Sequence, residues 1–228
     1  MKDVGLVGMP FSGKSTLFTA LTRAGSHGGQ ANQAVVSVPD PRLAVLAEVE
    51  RSRKTVAAQV RFLDVPGGVS SAQGLAKLRE TDALAVVMRC FGSEARPAAD
   101  LTAVRAELLL ADLGVVEGAL ANAEKRARGK PGPEVDALRR ARVALEAGRP
   151  LREASLDEQE LAHLRGIAPL TLKPEVMVAN LEEGTDVPVE LGDAVGVYAS
   201  IEAETAEMDP GEARALLEEF GRNRASTR

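Results

Sequence analysis

Residues 8–15, Gly8-Met9-Pro10-Phe11-Ser12-Gly13-Lys14-Ser15, satisfy G-x-x-x-x-G-K-[ST] at each fixed position. The chemistry of that spacing is anion binding. Gly8 and Gly13 let the backbone curl, so that amides from Phe11 and Ser12 through to Lys14, Ser15 and Thr16 face one volume. A helix starting at Lys14 adds partial positive charge at the same point. Lys14 brings a full charge to β- and γ-phosphate oxygens, and the Ser15 hydroxyl is a hard oxygen ligand for Mg²⁺. The bland alternative is a chance glycine turn before a helix, and the strand–loop–helix context argues against it.

Two later segments fit the same chemistry. Asp64-Val65-Pro66-Gly67 closes a short apolar run. An Asp at a strand's carboxyl end can hold Mg²⁺, and the Gly67 N–H can meet a γ-phosphate, so Lys14 and Gly67 are the candidate catalytic groups. The metal candidates are Ser15 and Asp64. Asn180-Leu181-Glu182-Glu183 ends another apolar run. GTP-binding domains carry N-K-x-D at that place, where the Asp accepts two hydrogen bonds from guanine. Here the pattern is Asn180-x-x-Glu183 with Leu181 in the lysine position. The longer glutamate shifts the carboxylate, and a mismatch costing ~1–3 kcal/mol can reverse a base preference. Ala199, Ser200 and Ile201 read as a further base-side loop offering backbone N–H groups.

These sites need elements to hold them. Val4–Gly8, Ala34–Val38, Val60–Leu63, Ala83–Cys90, Glu175–Ala179 and Val195–Ala199 read as strands. Lys14–Ala24 reads as a helix, and another starts near Arg42 with Leu43, Leu46 and Val49 on its buried side. Alternation of this kind predicts an α/β fold, a mostly parallel sheet with helices on both faces. Residues 101–165 break the rhythm. Leu101, Val104, Leu108, Ala111, Val115 and Ala119, then Val135, Leu138, Ala141 and Leu145 after a Gly/Pro turn, predict an inserted antiparallel helical hairpin. Gly114 and Gly118 fall inside its first helix. Ser155 with Glu158 predicts a capping box. The expected division is a discontinuous nucleotide-binding domain (1–100 and 166–203), the insert (101–165), and a C-terminal helix and frayed tail (204–228) carrying Leu216, Leu217 and Phe220.

The 228 residues are 45% hydrophobic and 27% charged, with 28 basic against 33 acidic side chains and a formal charge of −5. That balance argues against coating nucleic acid by charge alone, and no DNA sequence reader is expected. Without Trp, and with one Tyr and five Phe, base-stacking platforms for single strands are not expected either. Cys90 is the single cysteine, which excludes an intrachain disulfide and fits a reducing, cytoplasmic setting. No apolar run is long enough to span a membrane, and a signal peptide is not expected before Pro10.

With these motifs in order, the chain resembles the YchF (Obg-like ATPase) branch of the Obg-related P-loop NTPases. The supporting residues are Val38-Pro39-Asp40-Pro41-Arg42-Leu43, Arg79-Glu80-Thr81-Asp82-Ala83, Arg89-Cys90-Phe91, Glu107-Leu108, Ala111-Asp112-Leu113, Thr171 with Lys173-Pro174, and above all Asn180-x-x-Glu183. The similarity runs with gaps from about Val4 to Gly221. It implies a Ras-like sheet, Mg²⁺, ATP tolerated or preferred over GTP, slow hydrolysis, and a link to ribosomes. The family continues into a TGS domain, where this chain stops. Gly28 stands where the family's switch I has a threonine, switch II between Gly67 and Arg79 is short, Phe11-Ser12 replace the usual Asn-Val, and Gly68 follows Gly67 where many GTPases place a water-orienting Gln.

Smaller candidates complete the reading. His27, Gln30, Gln33 and Gln73 are weighed as water-positioners and read as solvated side chains; His163 reads as a surface residue and Cys90 as a buried, inert thiol. Residues 124–152 hold nine Lys/Arg and four Asp/Glu, a basic tip suited to ribosomal RNA or to nothing beyond solvent. Three functions follow: a weak Mg²⁺-dependent ATPase/GTPase, a nucleotide-loaded scaffold that does not hydrolyse, and, least supported, a small-molecule kinase. The sequence does not fix the oligomeric state.

Overall fold

A computed structural model of the chain describes residues 1–22, 32–206, 208–209 and 211–212. Six strands form one sheet in the order β2-β3-β1-β4-β5-β6. They are β1 (Lys2–Val7), β2 (Asn32–Ser37), β3 (Gln59–Asp64), β4 (Ala83–Cys90), β5 (Glu175–Leu181) and β6 (Val195–Val197). Neighbours run parallel except the edge pair β2 and β3. The predicted α/β class is what the chain forms. β4, central and buried on both faces, has the continuous apolar sequence such a strand requires.

Side chains alternate across β4. Leu84, Val86 and Met88 pack with Leu78 of α3 (Ala72–Arg79) and with Leu101, Val104 and Leu108 of α4 (Pro97–Ala127). Ala85 and Val87 pack on the other face with Leu17 and Phe18 of α1 (Lys14–Thr22) and Ala199 of α7 (Ala199–Ala206). Parallel strands therefore deliver their carboxyl ends, and the loops that follow them, to one edge of a two-sided core.

α4 and α5 (Pro133–Glu146) form the antiparallel pair between β4 and β5, followed by α6 (Glu158–Leu164). α4 begins at Pro97, which is favoured at a first helical position because its missing N–H has no intrahelical partner. Val135, Leu138, Ala141 and Leu145 are buried as the spacing predicts. The α4 stripe differs. Beyond Leu108 the buried residues are Asp112, Val116, Leu120 and Ala123, one position later than Ala111, Val115 and Ala119. There the helix leaves the sheet and packs on α5, so its inward face rotates.

Two more expectations fail. α2 (Arg42–Val49) has no buried residue, and Leu46 and Val49 are 56% and 70% exposed, so the helix contributes nothing to the core. The capping box is Asp157 with Glu160, each side chain accepting from the other's backbone N–H at 2.9 Å. Ser155 instead gives its carbonyl to Arg140 Nη2 at 2.6 Å. The strand ends also shift: β5 runs on to Leu181, and β6 stops at Val197 so that Ala199 opens α7. The tail residues Leu216, Leu217 and Phe220 lie outside the described residues.

Candidate functional site

The loop between β1 and α1 is shaped by close approach. A Cβ at Gly8 would fall on the Val87 carbonyl, and one at Gly13 on Asn180 Nδ2. Gly13 also has φ +87°, which favours glycine. Leu17 N–H opens the helical ladder by donating to the Gly13 carbonyl at 2.8 Å. The N–H groups of Gly13, Lys14, Ser15 and Thr16 have no acceptor among the described residues. Four adjacent free amides at the start of a nine-residue helix are a cradle for an anion.

Lys14 Nζ lies across this loop, donating to the Gly8 and Met9 carbonyls at 3.1 and 2.9 Å. Burial lowers its pKa from the ordinary lysine value, and the Asp64 charge partly opposes that. Ser15 Oγ donates to Asp64 Oδ2 at 2.7 Å, and Asp64 is buried. Two hard oxygens from separate elements thus meet beside the cradle, a donor set that suits Mg²⁺. Gly67, at φ +74°, stands exposed, its N–H has no acceptor among the described residues, and its turn leads into α3.

Asn180 is buried within β5, and both ends of its amide are used. Nδ2 donates to the Ser12 carbonyl, and Oδ1 accepts from Ala199 N–H, each at 3.2 Å. The residue therefore lashes the phosphate loop to the start of α7. Ala199, Ser200 and Ile201 belong to that helix rather than to a loop, and the Ala199 N–H is already committed. Beside this junction lies an open cavity of about 360 Å³, to which Leu181, Glu183, Ser200 and Ile201 all contribute. Phe91, Gly92, Glu182 and Tyr198 complete it. Sequence reasoning did not assign these four to the site. Phe91 was findable, because it directly follows the carboxyl end of a central parallel strand, where ligands of open α/β sheets bind. Glu182 Oε2 accepts from Gly92 N–H at 3.0 Å, and the Tyr198 hydroxyl donates to the Thr185 carbonyl at 2.9 Å, so both rims are tied.

The family model described as "50S ribosome-binding GTPase" matches residues 3–111. The chain is 35% identical to the ribosome-binding ATPase YchF of Pasteurella multocida, over 95% of this chain and 70% of that protein. It is 31% identical to the Bacillus subtilis protein of the same name, with the same coverage. The chain belongs to the YchF family. Its fold is similar to that of the Schizosaccharomyces pombe YchF GTPase, with a TM-score of 0.77 at 22% identity, covering 96% of this chain and 71% of that one.

Within the YchF framework, Phe11 and Ser12 sit badly. Phe11 has φ +63° and is 87% exposed, while Ser12 is buried with a hydroxyl that has no partner among the described residues. Gly68 is buried, and Gln33 and Gln73 are exposed. His27, Gly28 and Gln30 lie outside the described residues. His163 is exposed. Cys90 is half-buried, its thiol pushed up to about 11 by burial and then by Glu190 and Asp100, consistent with an inert side chain. The basic character of residues 124–152 is partly offset, since Arg126, Arg139, Arg140, Arg142 and Arg152 each meet a carboxylate. Lys125, Arg128 and Lys130, around the α4–α5 turn, have no carboxylate partner among the described residues. No helix among the described residues is long and apolar enough to cross a membrane.

Proposed function

We propose that the chain binds a purine nucleoside triphosphate with Mg²⁺, takes ATP at least as readily as GTP, and hydrolyses it slowly. The free amides of Gly13 to Thr16 beside the Lys14 ammonium carry this reading, because four unbonded donors and a cation that hydrogen-bonds only carbonyls among the described residues call for a polyphosphate. Lys14 would shift from the loop carbonyls to phosphate oxygens. Ser15 and Asp64 would hold Mg²⁺, which supplies charge neutralisation at the phosphates. Gly67 N–H would donate to the terminal phosphate.

Base choice rests on the cavity. Leu181 gives an apolar wall where guanine-specific domains use lysine, and Glu183 reaches one methylene beyond the aspartate that reads guanine. The expectation is less than about tenfold preference for GTP. Slow turnover follows from Gly68, which has no side chain to orient water. The relatives named as ribosome-binding suggest a ribosomal partner, with Lys125, Arg128 and Lys130 as the phosphate-seeking tip.

Calorimetric titration with ATP and GTP, with and without Mg²⁺, tests the binding claim against a Lys14→Ala control. Strong GTP selectivity would overturn the reading of Glu183. Single-turnover hydrolysis with and without ribosomes tests the chemistry. Phosphate release no faster than that control would leave the nucleotide-loaded scaffold, the reading that Gly68 also favours.

A further inference from the structure

Arg89 is a cation at the centre of the fold that the phosphate site does not use. It is the penultimate residue of β4, beside Asn180 of β5. Its Nε donates to the Phe91 carbonyl at 3.1 Å, and its guanidinium carbon lies 5.0 Å from the Phe91 ring centroid. No carboxylate pairs with it among the described residues. Gly92, at φ +74°, lets the guanidinium come close: a Cβ there would stand 3.0 Å from Arg89 Nη2. Phe91 in turn lines the base-side cavity, and its ring edge reaches to within 3.9 Å of where a Gly13 Cβ would lie.

We propose that Arg89 is a positioning residue for the base, fixing Phe91 as a rigid wall of the cavity. The guanidinium grips Phe91 at two points, backbone carbonyl and ring, while Glu182 holds the N–H of the next residue. An aromatic wall that needs no ordering when the ligand arrives strengthens stacking by lowering its entropic cost. Keeping the guanidinium free of acids leaves its charge to the ring, where the quadrupole can use it. The consequence is selective: Arg89 contributes to affinity for the base and not to affinity for the phosphates.

This inference rests on the phosphate-cradle reading, and one experiment separates the two. Arg89→Met and Arg89→Lys chains are titrated beside the parent with Mg-ATP and with Mg-tripolyphosphate, which has no base. Arg89→Met is expected to weaken ATP about tenfold, with tripolyphosphate unchanged within about twofold. Arg89→Lys, which keeps a cation but loses the fork, falls between and covers the case in which the methionine variant does not fold. Parallel loss of both ligands, or unchanged ATP affinity, would overturn the proposal. A parent chain that binds ATP but not tripolyphosphate would sink the phosphate cradle, and this inference with it.

Discussion

Asp112 is fully buried in α4 and accepts four hydrogen bonds. Oδ1 takes Arg79 Nη1 at 2.7 Å and Leu170 N–H at 2.9 Å; Oδ2 takes Thr171 N–H at 2.7 Å and its hydroxyl at 2.8 Å. Arg79 ends α3, the helix that follows the Gly67 turn, and also donates to the Ala111 and Ala168 carbonyls. Lys173 donates to the Arg79 and Thr81 carbonyls, which closes the network. Consider Asp112→Asn. The amide must turn its NH₂ toward one pair of donors. The Thr171 hydroxyl can rotate to accept, but neither backbone N–H can, so a buried N–H is orphaned either way at ~1–3 kcal/mol. The guanidinium also loses its counter-charge, and breaking a buried pair costs ~3–5 kcal/mol. These overlap, so the expected loss is about 3–5 kcal/mol, or roughly 6–20 °C in melting temperature for a chain of this size. Arg79→Met should cost less, about 1–3 kcal/mol, because the carboxylate keeps its other donors. Urea unfolding of the two variants measures both. A loss below about 1 kcal/mol for Asp112→Asn, or a larger loss for Arg79→Met, would refute the reasoning.

Gly114 and Gly118 lie inside α4 with open space where a Cβ would go, so Gly114→Ala and Gly118→Ala should each add about 1 kcal/mol, read as a higher urea midpoint. Phe11→Asn places a residue that tolerates positive φ at that position, and Ser12→Val removes the orphaned hydroxyl. The pair should stabilise by ~1–2 kcal/mol in the same assay, and a destabilised double variant would contradict the strain assigned to this loop. The Lys14 pKa is lowered in the free chain, and a bound polyphosphate raises it again, so ATP affinity should fall as pH rises through that depressed value. Binding there takes up protons. Titrations at alkaline pH in buffers of different ionisation enthalpy measure the uptake, and none at all would show that Lys14 does not change its surroundings on binding.

What the sequence carried was chemistry tied to backbone demands. Gly8, Gly13, Lys14 and Ser15 are legible because few other residues survive those positions, and the structure gives the steric reason at both glycines. β4 is legible because a strand buried on both faces needs an unbroken apolar run. What depended on tertiary neighbours was not legible. Helical spacing gives a period but not which surface the helix meets, so the α4 stripe was placed one residue early once its partner changed from sheet to helix. The apolar side of α2 suggested a buried face, yet none of its residues is buried among the described residues. Ser155–Glu158 and Asp157–Glu160 differ by a shift of two residues, and pattern alone does not choose between overlapping caps.

For Asn180 the motif reading has the side chain support both loop and base, and the structure spends both ends of its amide on protein: Ser12 on one side and Ala199 on the other. An asparagine suits that task because its single planar amide carries donors at one end and an acceptor at the other, and an ionised aspartate cannot donate. Its contribution to nucleotide affinity would then be indirect, through the alignment of phosphate loop and base cavity. Under the proposed function, recognition of the purine would then fall to the groups left over around the cavity: Phe91 and Leu181 for the ring, Glu183 for its polar edge.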